Sequence, residues 1–394
     1  MKIAIIVRKL NLKGGVQKHA LYEARELKKL GHDVTLYTFL FSRDECYTDL
    51  LDDLKVVSLN TALPPYSNYF SWKKTESEFA KKLALAINTD TEILNPHDHG
   101  CYKVAYYYKK LVKNIPSVWT MHDMPTRAHS AEMSAEMDGI KSPLYKMAVN
   151  YFFDRYEIEK YIKKQDVVAV LDTRDKEFVK KYFGKDAEIV RNGVDVDRFP
   201  FYGRTAPTKK IRLFMNGIFF RHRRFEDGIL AGKLLADAGY GVAISISGDY
   251  NSDKKYYAEL TRLAAGLGQG VKVEFLGKVS EARLSELYKT SDIFLFPNHM
   301  QSWGLAVFEA MASGLPAIVS KSAGASEVLT DGENALLAEP KDPDGLAKQI
   351  KKLADNPGLY SKLSVDGRRF AAENISWESL AENYEKIFEH AKRK

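Results

Sequence analysis

The sequence has little cysteine and no long apolar run. Its 394 residues include two cysteines, Cys46 and Cys101. Two distant cysteines give neither a disulfide framework nor a zinc-ligand spacing, so we expect two inert thiols in a reducing compartment. No segment has the roughly 18 consecutive apolar residues that a membrane-spanning helix requires. The apolar start at residues 2–7 is too short for a signal peptide, and we therefore expect a cytoplasmic protein.

A basic region is also missing, although the net charge is +7. Residues 1–200 contain 32 basic and 28 acidic side chains, and the remaining residues contain 27 and 24. A nucleic-acid-binding protein is expected to concentrate its basic residues in one stripe or to carry a known binding motif. The sequence has neither feature, so we expect no nucleic-acid partner.

What the chain does have is a regular alternation of short β-rich runs with helical periodicity. This pattern predicts an α/β protein with parallel sheets covered by helices, and the length suits two domains of about 200 residues each. Two prolines and a glycine interrupt the pattern at residues 199–207, so we predict one domain at 1–200, a second at 201–375 and a final helical segment at 376–394. Strands are predicted at residues 2–7, 33–39, 54–59, 92–96, 116–121, 166–171, 187–191, 211–215, 242–247, 271–276, 293–297 and 316–320.

Paired glycines, Gly14 and Gly15, occupy the turn between the first strand and a helix predicted at residues 16–30. Glycine lets the backbone approach a ligand closely and present amide groups at a helix N-terminus. The turn lacks the full G-x-G-x-x-G spacing, so an ordinary strand-to-helix connection explains it equally well.

A more specific pattern lies at residues 291–316, where a strand ends at Pro297 and a helix begins at Gly304. The intervening loop lies at the carboxyl end of a sheet strand, where α/β proteins bind ligands. Free backbone amides at the start of the helix suit a diphosphate. Glu309, about one and a half turns further on, could accept hydrogen bonds from ribose hydroxyls. The alternative for Glu309 is a surface charge on the helix.

These residues resemble the retaining glycosyltransferases of family 4, which have the GT-B fold. The family carries two glutamates separated by seven residues before an Ala-Met-Ala-x-Gly-x-Pro sequence, and residues 309–316 match from the second glutamate onward. Residues 323–334, 191–199 and 120–123 continue the likeness over essentially the whole chain. The resemblance implies two Rossmann-like domains facing each other across a cleft, an N-terminal acceptor-binding domain, a C-terminal nucleotide-sugar-binding domain and a last helix that crosses back to the first.

Two departures from the family pattern concern charge. The first glutamate of the pair, which touches the donor sugar in the family, is Gln301 here, and an amide supplies no negative charge beside a developing oxocarbenium centre. In the basic loop at residues 216–227, Ile218 occupies the usual arginine position. Arg223 aligns best with the usual lysine, a shift of one residue would nominate Arg224, and Arg221 could replace the charge lost at Ile218.

The resemblance implies a full set of site residues and leaves the nucleobase open between uridine and guanosine. The residues with implied catalytic roles are His122, Arg223, Gln301 and Glu309. The residues implied to bind the donor are Gly15, Gly217, Arg221, Arg224, Gly277, Lys278, Val279, Ser302, Trp303, Gly304, Leu305 and Glu309.

A metal site formed by His97, Asp98 and His99 is an alternative at the end of a neighbouring strand. We reject it because successive strand residues point in opposite directions and because the family does not generally need a metal. Acceptor binding is the preferred role for this segment. No cofactor is expected, since the nucleotide sugar is itself the substrate.

The implied reaction transfers a sugar with retention of configuration from a UDP- or GDP-sugar to a hydroxyl of a glycan, lipid carrier or small molecule. The alternatives are a sugar-nucleotide epimerase or a phosphorylase, for which we find no lysine of a pyridoxal-phosphate site, and a catalytically weak or silent sugar-nucleotide-binding homologue, suggested by Gln301. Peripheral contact with a membrane is a further hypothesis, based on the basic and aromatic residues 102–113, which also fit a helix covering a sheet.

Overall fold

The computed structural model describes residues 1–61, 69–138 and 142–394. It contains two compact units, of which the first comprises Met1–Asn192 with Trp377–Lys394 and the second comprises Gly193–Ser376. The second unit begins at Gly193 because the following residues bond within it. The Val194 amide donates to the carbonyl oxygen of Ile375 at 2.8 Å, and the Arg368 guanidinium donates to the carbonyl oxygen of Phe199 at 2.9 Å.

The secondary structure alternates between strands and helices in both units. The strands are β1 (Lys2–Leu10), β2 (Asp33–Phe41), β3 (Lys55–Ser58), β4 (Ile93–Pro96), β5 (Val118–Thr120), β6 (Val167–Val170), β7 (Glu188–Ile189), β8 (Lys210–Asn216), β9 (Gly241–Ser247), β10 (Val271–Gly277), β11 (Ile293–Phe296), β12 (Ala317–Ser320) and β13 (Leu336–Ala338). The helices are α1 (Gly15–Lys29), α2 (Tyr69–Ala86), α3 (Cys101–Leu111), α4 (Arg127–Asp138), α5 (Leu144–Glu157), α6 (Thr173–Phe183), α7 (Phe225–Asp237), α8 (Lys254–Ala265), α9 (Glu281–Thr290), α10 (Leu305–Ala312), α11 (Pro343–Asp355), α12 (Pro357–Asn374) and α13 (Trp377–Lys392).

In the first unit, parallel strands pair in the order β3-β2-β1-β4 and, separately, β5-β6-β7. Parallel bridges from Leu94 to Ser117 and from His97 to Thr120 join β4 to β5. The strand order therefore reverses between β1 and β4, which is where α/β sheets open a ligand crevice at their carboxyl ends. Helix α13 packs on α1, and the ring of Trp377 stacks on that of Tyr22 with centroids 4.4 Å apart.

The second unit has one parallel sheet in the order β10-β9-β8-β11-β12-β13. Here the order reverses between β8 and β11, so the loops that follow these two strands meet at the same edge. The predicted α/β class and every predicted strand are confirmed. β13 was not predicted, because three residues are too few to give a recognisable period.

Within the described ranges, no helix is long and apolar enough to cross a membrane. In the stretch at residues 102–113, α3 buries Tyr102 and Tyr108 against the first sheet. The alternative of a helix covering a sheet is therefore confirmed for α3, and membrane contact stays a prediction.

Buried ion pairs connect three helices of the first unit. The ammonium group of Lys103 on α3, 1% exposed, contacts the carboxylates of Glu76 on α2 and Glu157 on α5. The Tyr102 hydroxyl donates to Glu157 at 2.9 Å. Burial alone would raise the pKa of Glu76, but Lys103 and Lys73 outweigh it and lower that pKa to about 2.

Replacement of Lys103 should therefore be costly. In Lys103→Met, two carboxylates lose a buried partner, and we expect the free energy of unfolding to fall by about 3–5 kcal/mol. Lys110→Met on the same helix is the control, because Lys110 is exposed. Urea denaturation followed by circular dichroism measures both. Equal midpoints for the two variants would contradict the ion-pair assignment.

The same network predicts that the stability of the fold falls at low pH. The pKa of Glu76 is lower in the folded chain than its ordinary value of 4.5, so its stabilising contribution is complete above about pH 4.5 and is lost as the pH falls through about 2. Urea midpoints measured at intervals across this window should decline less steeply in Glu76→Gln than in the wild type. Parallel declines would refute the assignment.

Candidate functional site

In the second unit, the turn after β8 depends on a close backbone approach. A Cβ atom on Gly248 would lie 1.8 Å from the carbonyl oxygen of Gly217, and Gly248 has φ +140°. A Cβ atom on Gly217 would lie 3.1 Å from Nε of Arg223. Position 248 therefore excludes any side chain. Position 217 is glycine because the Arg223 side chain lies directly on its backbone.

The three arginines of the predicted basic loop have different partners. Arg224, in the left-handed region at φ 52°, forms a two-bond fork with Asp227 at 2.7 and 3.0 Å. Arg221 donates to Glu259 at 2.7 Å. Both cations are thus balanced by carboxylates of their own unit.

Arg223 instead lies between Gly217 and Asn298. Its Nη1 donates to Oδ1 of Asn298 at 2.9 Å when that amide is oriented so that its nitrogen donates to the Arg223 carbonyl oxygen at 3.2 Å. Asn298 follows β11, so these contacts connect the two loops at the reversal of strand order. The geometry therefore favours Arg223 over Arg224 as the cation for a bound phosphate.

The loop after β11 is tied to the same region by His222, which the sequence did not single out. The His299 amide donates to the carbonyl oxygen of His222 at 2.7 Å. Nε2 of His222 lies 3.1 Å from Oε1 of Gln301, and because an amide oxygen only accepts, Nε2 carries the proton. The backbone carbonyl oxygen of Gln301 also accepts a hydrogen bond from the Gly324 amide at 2.9 Å. The predicted residue Gln301 is thus held on two sides.

Gly304 immediately precedes α10 and has φ 100°, and a Cβ atom there would lie 2.8 Å from the ring of Phe296. The helix starts at Leu305 with no side-chain cap and no acidic residue in its first turn. Ser302 and Leu305 are half-buried, whereas Trp303 is buried and stacks on Phe308 at 4.7 Å. An uncapped helix start with no acidic residue in its first turn suits an anion.

Glu309 is buried at 6% exposure, so the alternative of a surface charge is wrong. Its Oε2 accepts a hydrogen bond from the Tyr288 hydroxyl at 3.1 Å. Burial and the Glu309 charge raise the pKa of Tyr288 well above its ordinary value, which keeps the phenol as a donor. One oxygen of the carboxylate is therefore fixed by the protein.

The remaining predicted donor residues lie in two glycine turns. Gly277 has φ 67°, and its carbonyl oxygen accepts from the Gly248 amide at 2.9 Å, so the turn at residues 277–279 adjoins the Gly217 turn. Lys278 is exposed and pairs with Asp249 at 2.9 Å, and Val279 is half-buried. In the first unit, Gly15 is exposed at the start of α1, with no atom within 4 Å of the space that a Cβ would occupy.

The first unit brings three histidines together near the carboxyl ends of β4 and β5. His122, just after β5, places Nε2 3.1 Å from Nδ1 of His97 at the end of β4. His19 on α1 packs edge-on against His122, with centroids 4.8 Å apart. The carboxylate of Glu23, one turn after His19, lies 3.2 Å from His19 and 3.1 Å from His97. The sequence offered one signal for His19 and Glu23, since their i, i+4 spacing places them on one helix face.

The hydrogen bonds determine the tautomer of His122. Nδ2 of Asn95 donates to the Val118 carbonyl oxygen at 2.7 Å and to Thr120 at 3.1 Å, so Oδ1 of Asn95 accepts. Nε2 of His97 lies 2.7 Å from that oxygen and therefore carries the proton. A neutral His97 then accepts through Nδ1 from Nε2 of His122. His122 keeps its lone pair on Nδ1, which is suited to accept a hydrogen bond from a hydroxyl group.

Burial keeps this cluster neutral. It lowers the pKa of His97 to about 3, and burial together with the neighbouring His97 lowers the pKa of His122 well below 6.5. Burial also raises the pKa of Glu23, against the opposing effect of His19.

Neutral imidazoles are common metal ligands, and in the described part of the chain one nitrogen each of His19, His97 and His122 lies within 4.8 Å of the others. Glu23 could supply an oxygen as a fourth ligand. A bound ion would replace the hydrogen bond between His97 and His122. These residues, rather than the rejected set at 97–99, are the candidate ligands, and the absence of a required metal stays a prediction.

Comparisons with known proteins identify the class. The family model for Glycosyltransferase Family 4 matches residues 13–198, and that for Glycosyl transferases group 1 matches residues 201–370. The chain belongs to this family of glycosyltransferases. It is similar to glycogen synthase of Mycobacterium tuberculosis, with 21% identity over 96% of this chain and 92% of the relative.

Solved structures show the same GT-B fold. HepE of Anabaena, crystallised with UDP and glucose, matches with a TM-score of 0.74 and 15% identity over 99% of this chain and all of its own. Sucrose-phosphate synthase of Thermosynechococcus elongatus matches with a TM-score of 0.76 and 16% identity, over 99% and 98% of the two chains. The class and the fold implied by the family resemblance are thus confirmed, and the comparisons favour transfer over the epimerase and phosphorylase alternatives.

The tautomer of His122 can be measured directly. In ¹⁵N-histidine-labelled protein, we expect His122 to show a protonated Nε2 and an unprotonated Nδ1 at neutral pH and to stay neutral below its ordinary pKa of 6.5, because burial and the neighbouring His97 oppose its charging. His97→Ala, which removes the acceptor, should abolish this preference. A His122 ring protonated on Nδ1 in the wild type would contradict the assigned chain of hydrogen bonds.

Proposed function

We propose that this glycosyltransferase moves a sugar from a nucleoside-diphosphate donor, UDP- or GDP-linked, to a hydroxyl group of an acceptor with retention of configuration. The observation that carries the proposal is the position of Arg223. Its guanidinium lies on Gly217 and contacts Asn298. It therefore lies between the loops that follow β8 and β11, where the strand order reverses. The likeness to HepE, which was crystallised with UDP and glucose, supports a sugar nucleotide as the donor.

In this proposal the second unit holds the leaving group. The diphosphate gains negative charge as its bond to the anomeric carbon breaks, and Arg223 with the amides at the start of α10 stabilises that charge. The Glu309 carboxylate accepts a hydrogen bond from a ribose hydroxyl, and the backbone of residues 277–279 contacts the base. Arg223 and the α10 amides bind the transition state more tightly than the substrate because the negative charge on the diphosphate has grown, whereas the ribose and base contacts bind both equally.

The sugar is attacked on the face that the diphosphate leaves. The acceptor oxygen bonds to the anomeric carbon, the bond to the diphosphate oxygen breaks, and a phosphate oxygen takes the acceptor proton, so no protein nucleophile is consumed. Nδ1 of His122 accepts a hydrogen bond from a sugar hydroxyl and orients the ring. Positioning and electrostatics then supply the rate enhancement, without a metal ion.

A second candidate, a weak or silent sugar-nucleotide-binding protein, is favoured by one observation. Gln301 is neutral and hydrogen-bonded to His222, so it supplies no negative charge beside the sugar. Gln301→Glu restores that charge, and we expect it to raise kcat for transfer while leaving UDP affinity within about twofold. Tight UDP binding with no turnover in either form would favour the silent protein.

The donor site is tested by comparing two neighbouring arginines. Arg223→Ala should weaken the binding of UDP or GDP roughly tenfold to one hundredfold, since a charge-assisted hydrogen bond contributes about 1.5–3 kcal/mol. Arg224→Ala removes the fork to Asp227 and should lower the melting temperature while leaving nucleotide affinity largely intact.

Calorimetric titration and thermal melting separate the two effects. Glu309→Ala should weaken nucleotide binding as Arg223→Ala does. If nucleotide binding survives in both variants, the assigned donor site is wrong. A panel of UDP- and GDP-sugars in the same melting assay identifies the base and the sugar.

A further inference from the structure

Helix α5 presents large apolar side chains to solvent along its whole length. Their exposed fractions run from 49% to 84%, and isolated exposed apolar residues are common, but a series on one helix of 14 residues is not. The residues concerned are Leu144, Tyr145, Met147, Val149, Tyr151, Phe152 and Tyr156.

The inward face of the same helix is polar. Asp154 is buried and accepts from the Arg127 amide at 3.0 Å, and Glu157 is buried between Lys103 and Lys73. A helix that covers a water-soluble core has the opposite pattern, with its apolar face inward and its charges outward. The ion pairs of Glu157 hold α5 with its acidic residues inward and its apolar side chains outward, an arrangement that suits a partner less polar than water.

The outward charges of this region are almost all positive. Of the three acidic residues between 144 and 164, Asp154 and Glu157 are turned inward, and Glu159 pairs with Lys163 at 2.7 Å. The basic side chains on the outer surface are Lys146, Arg155, Lys160, Lys163 and Lys164. Two of them contact exposed tyrosines, Arg155 the hydroxyl of Tyr151 at 3.3 Å and Lys160 that of Tyr156 at 2.6 Å.

This charge pattern decides between two occupants. In a symmetric dimer, the same patch would meet itself and bring like charges together. An anionic bilayer complements both properties, because apolar and aromatic side chains enter the headgroup region while lysine and arginine reach the phosphates. At about 1.5 Å per residue, α5 is about 21 Å long and can lie along the surface.

We propose that α5 docks the first unit onto an anionic lipid surface, with the helix axis in the plane of the headgroups. The docking does not rest on the proposed donor chemistry. If the donor chemistry is also as proposed, docking on a lipid surface favours a lipid carrier as the acceptor. It also replaces the segment at residues 102–113 as the basis for membrane contact.

The test is sedimentation of the full chain with vesicles of phosphatidylcholine alone or mixed with phosphatidylglycerol. The wild type should bind the mixed vesicles and release at high salt. The double variant Leu144→Glu with Phe152→Glu should lose roughly tenfold or more of that binding. Leu85→Glu is the matched control, because Leu85 is also an exposed apolar residue, on α2, and this variant should bind as the wild type does.

Three results would overturn the proposal: no binding of the wild type to mixed vesicles, equal loss in the control, or a dimer in solution that the double variant dissociates. The last result would assign the face to a second copy of the chain. Unchanged melting temperatures confirm that the variants fold, since both altered residues of α5 are exposed. UDP binding of the double variant should equal that of the wild type, so a failure of docking is distinguishable from a failure of the donor site.

Discussion

The reversal of strand order between β8 and β11 determines where the polar residues of the second unit meet. Each parallel strand must be followed by a crossover, and two neighbouring crossovers that diverge leave a crevice at the carboxyl edge. Arg223, Asn298 and Gln301 come from loops distant in sequence, yet they converge there because the sheet permits no other exit. The bare backbones of Gly217 and Gly248 let the two turns at this edge pack closely against each other.

In the first unit the dominant constraint is burial. Three imidazoles and one carboxylate are removed from water, so the charged forms of the histidines are disfavoured and each proton must be assigned to a hydrogen bond. Asn95 begins that assignment because its amide hydrogens are already committed to Val118 and Thr120. As a result, Asn95 determines, through His97, which nitrogen of His122 accepts a hydrogen bond.

The sequence predicted the strands well, since alternation of apolar runs depends on local composition. It also singled out Gly304 and Glu309 through a family motif, and the structure gives Gly304 a left-handed φ and buries Glu309, while their roles in donor binding stay predictions. It preferred Arg223 to Arg224 only through an alignment that a shift of one residue would change, since the fork of Arg224 to Asp227 and the path of the Arg223 side chain over Gly217 are set by the fold. The pairing of His19 with His97 was equally hidden, because contacts between α1 and β4 arise only from the sheet order.

The buried lysine that links α2, α3 and α5 has an evolutionary consequence. A desolvated ion cluster adds little net stability over apolar side chains of similar size, but it is direction-specific, since its acids must face the lysine. Replacing the cluster by leucine and methionine would allow α5 to roll about its axis and bury its aromatic side. A lineage that abandoned the surface on which this helix lies could therefore exchange these charges for apolar residues at little cost, and the identity of position 103 would record whether it had done so.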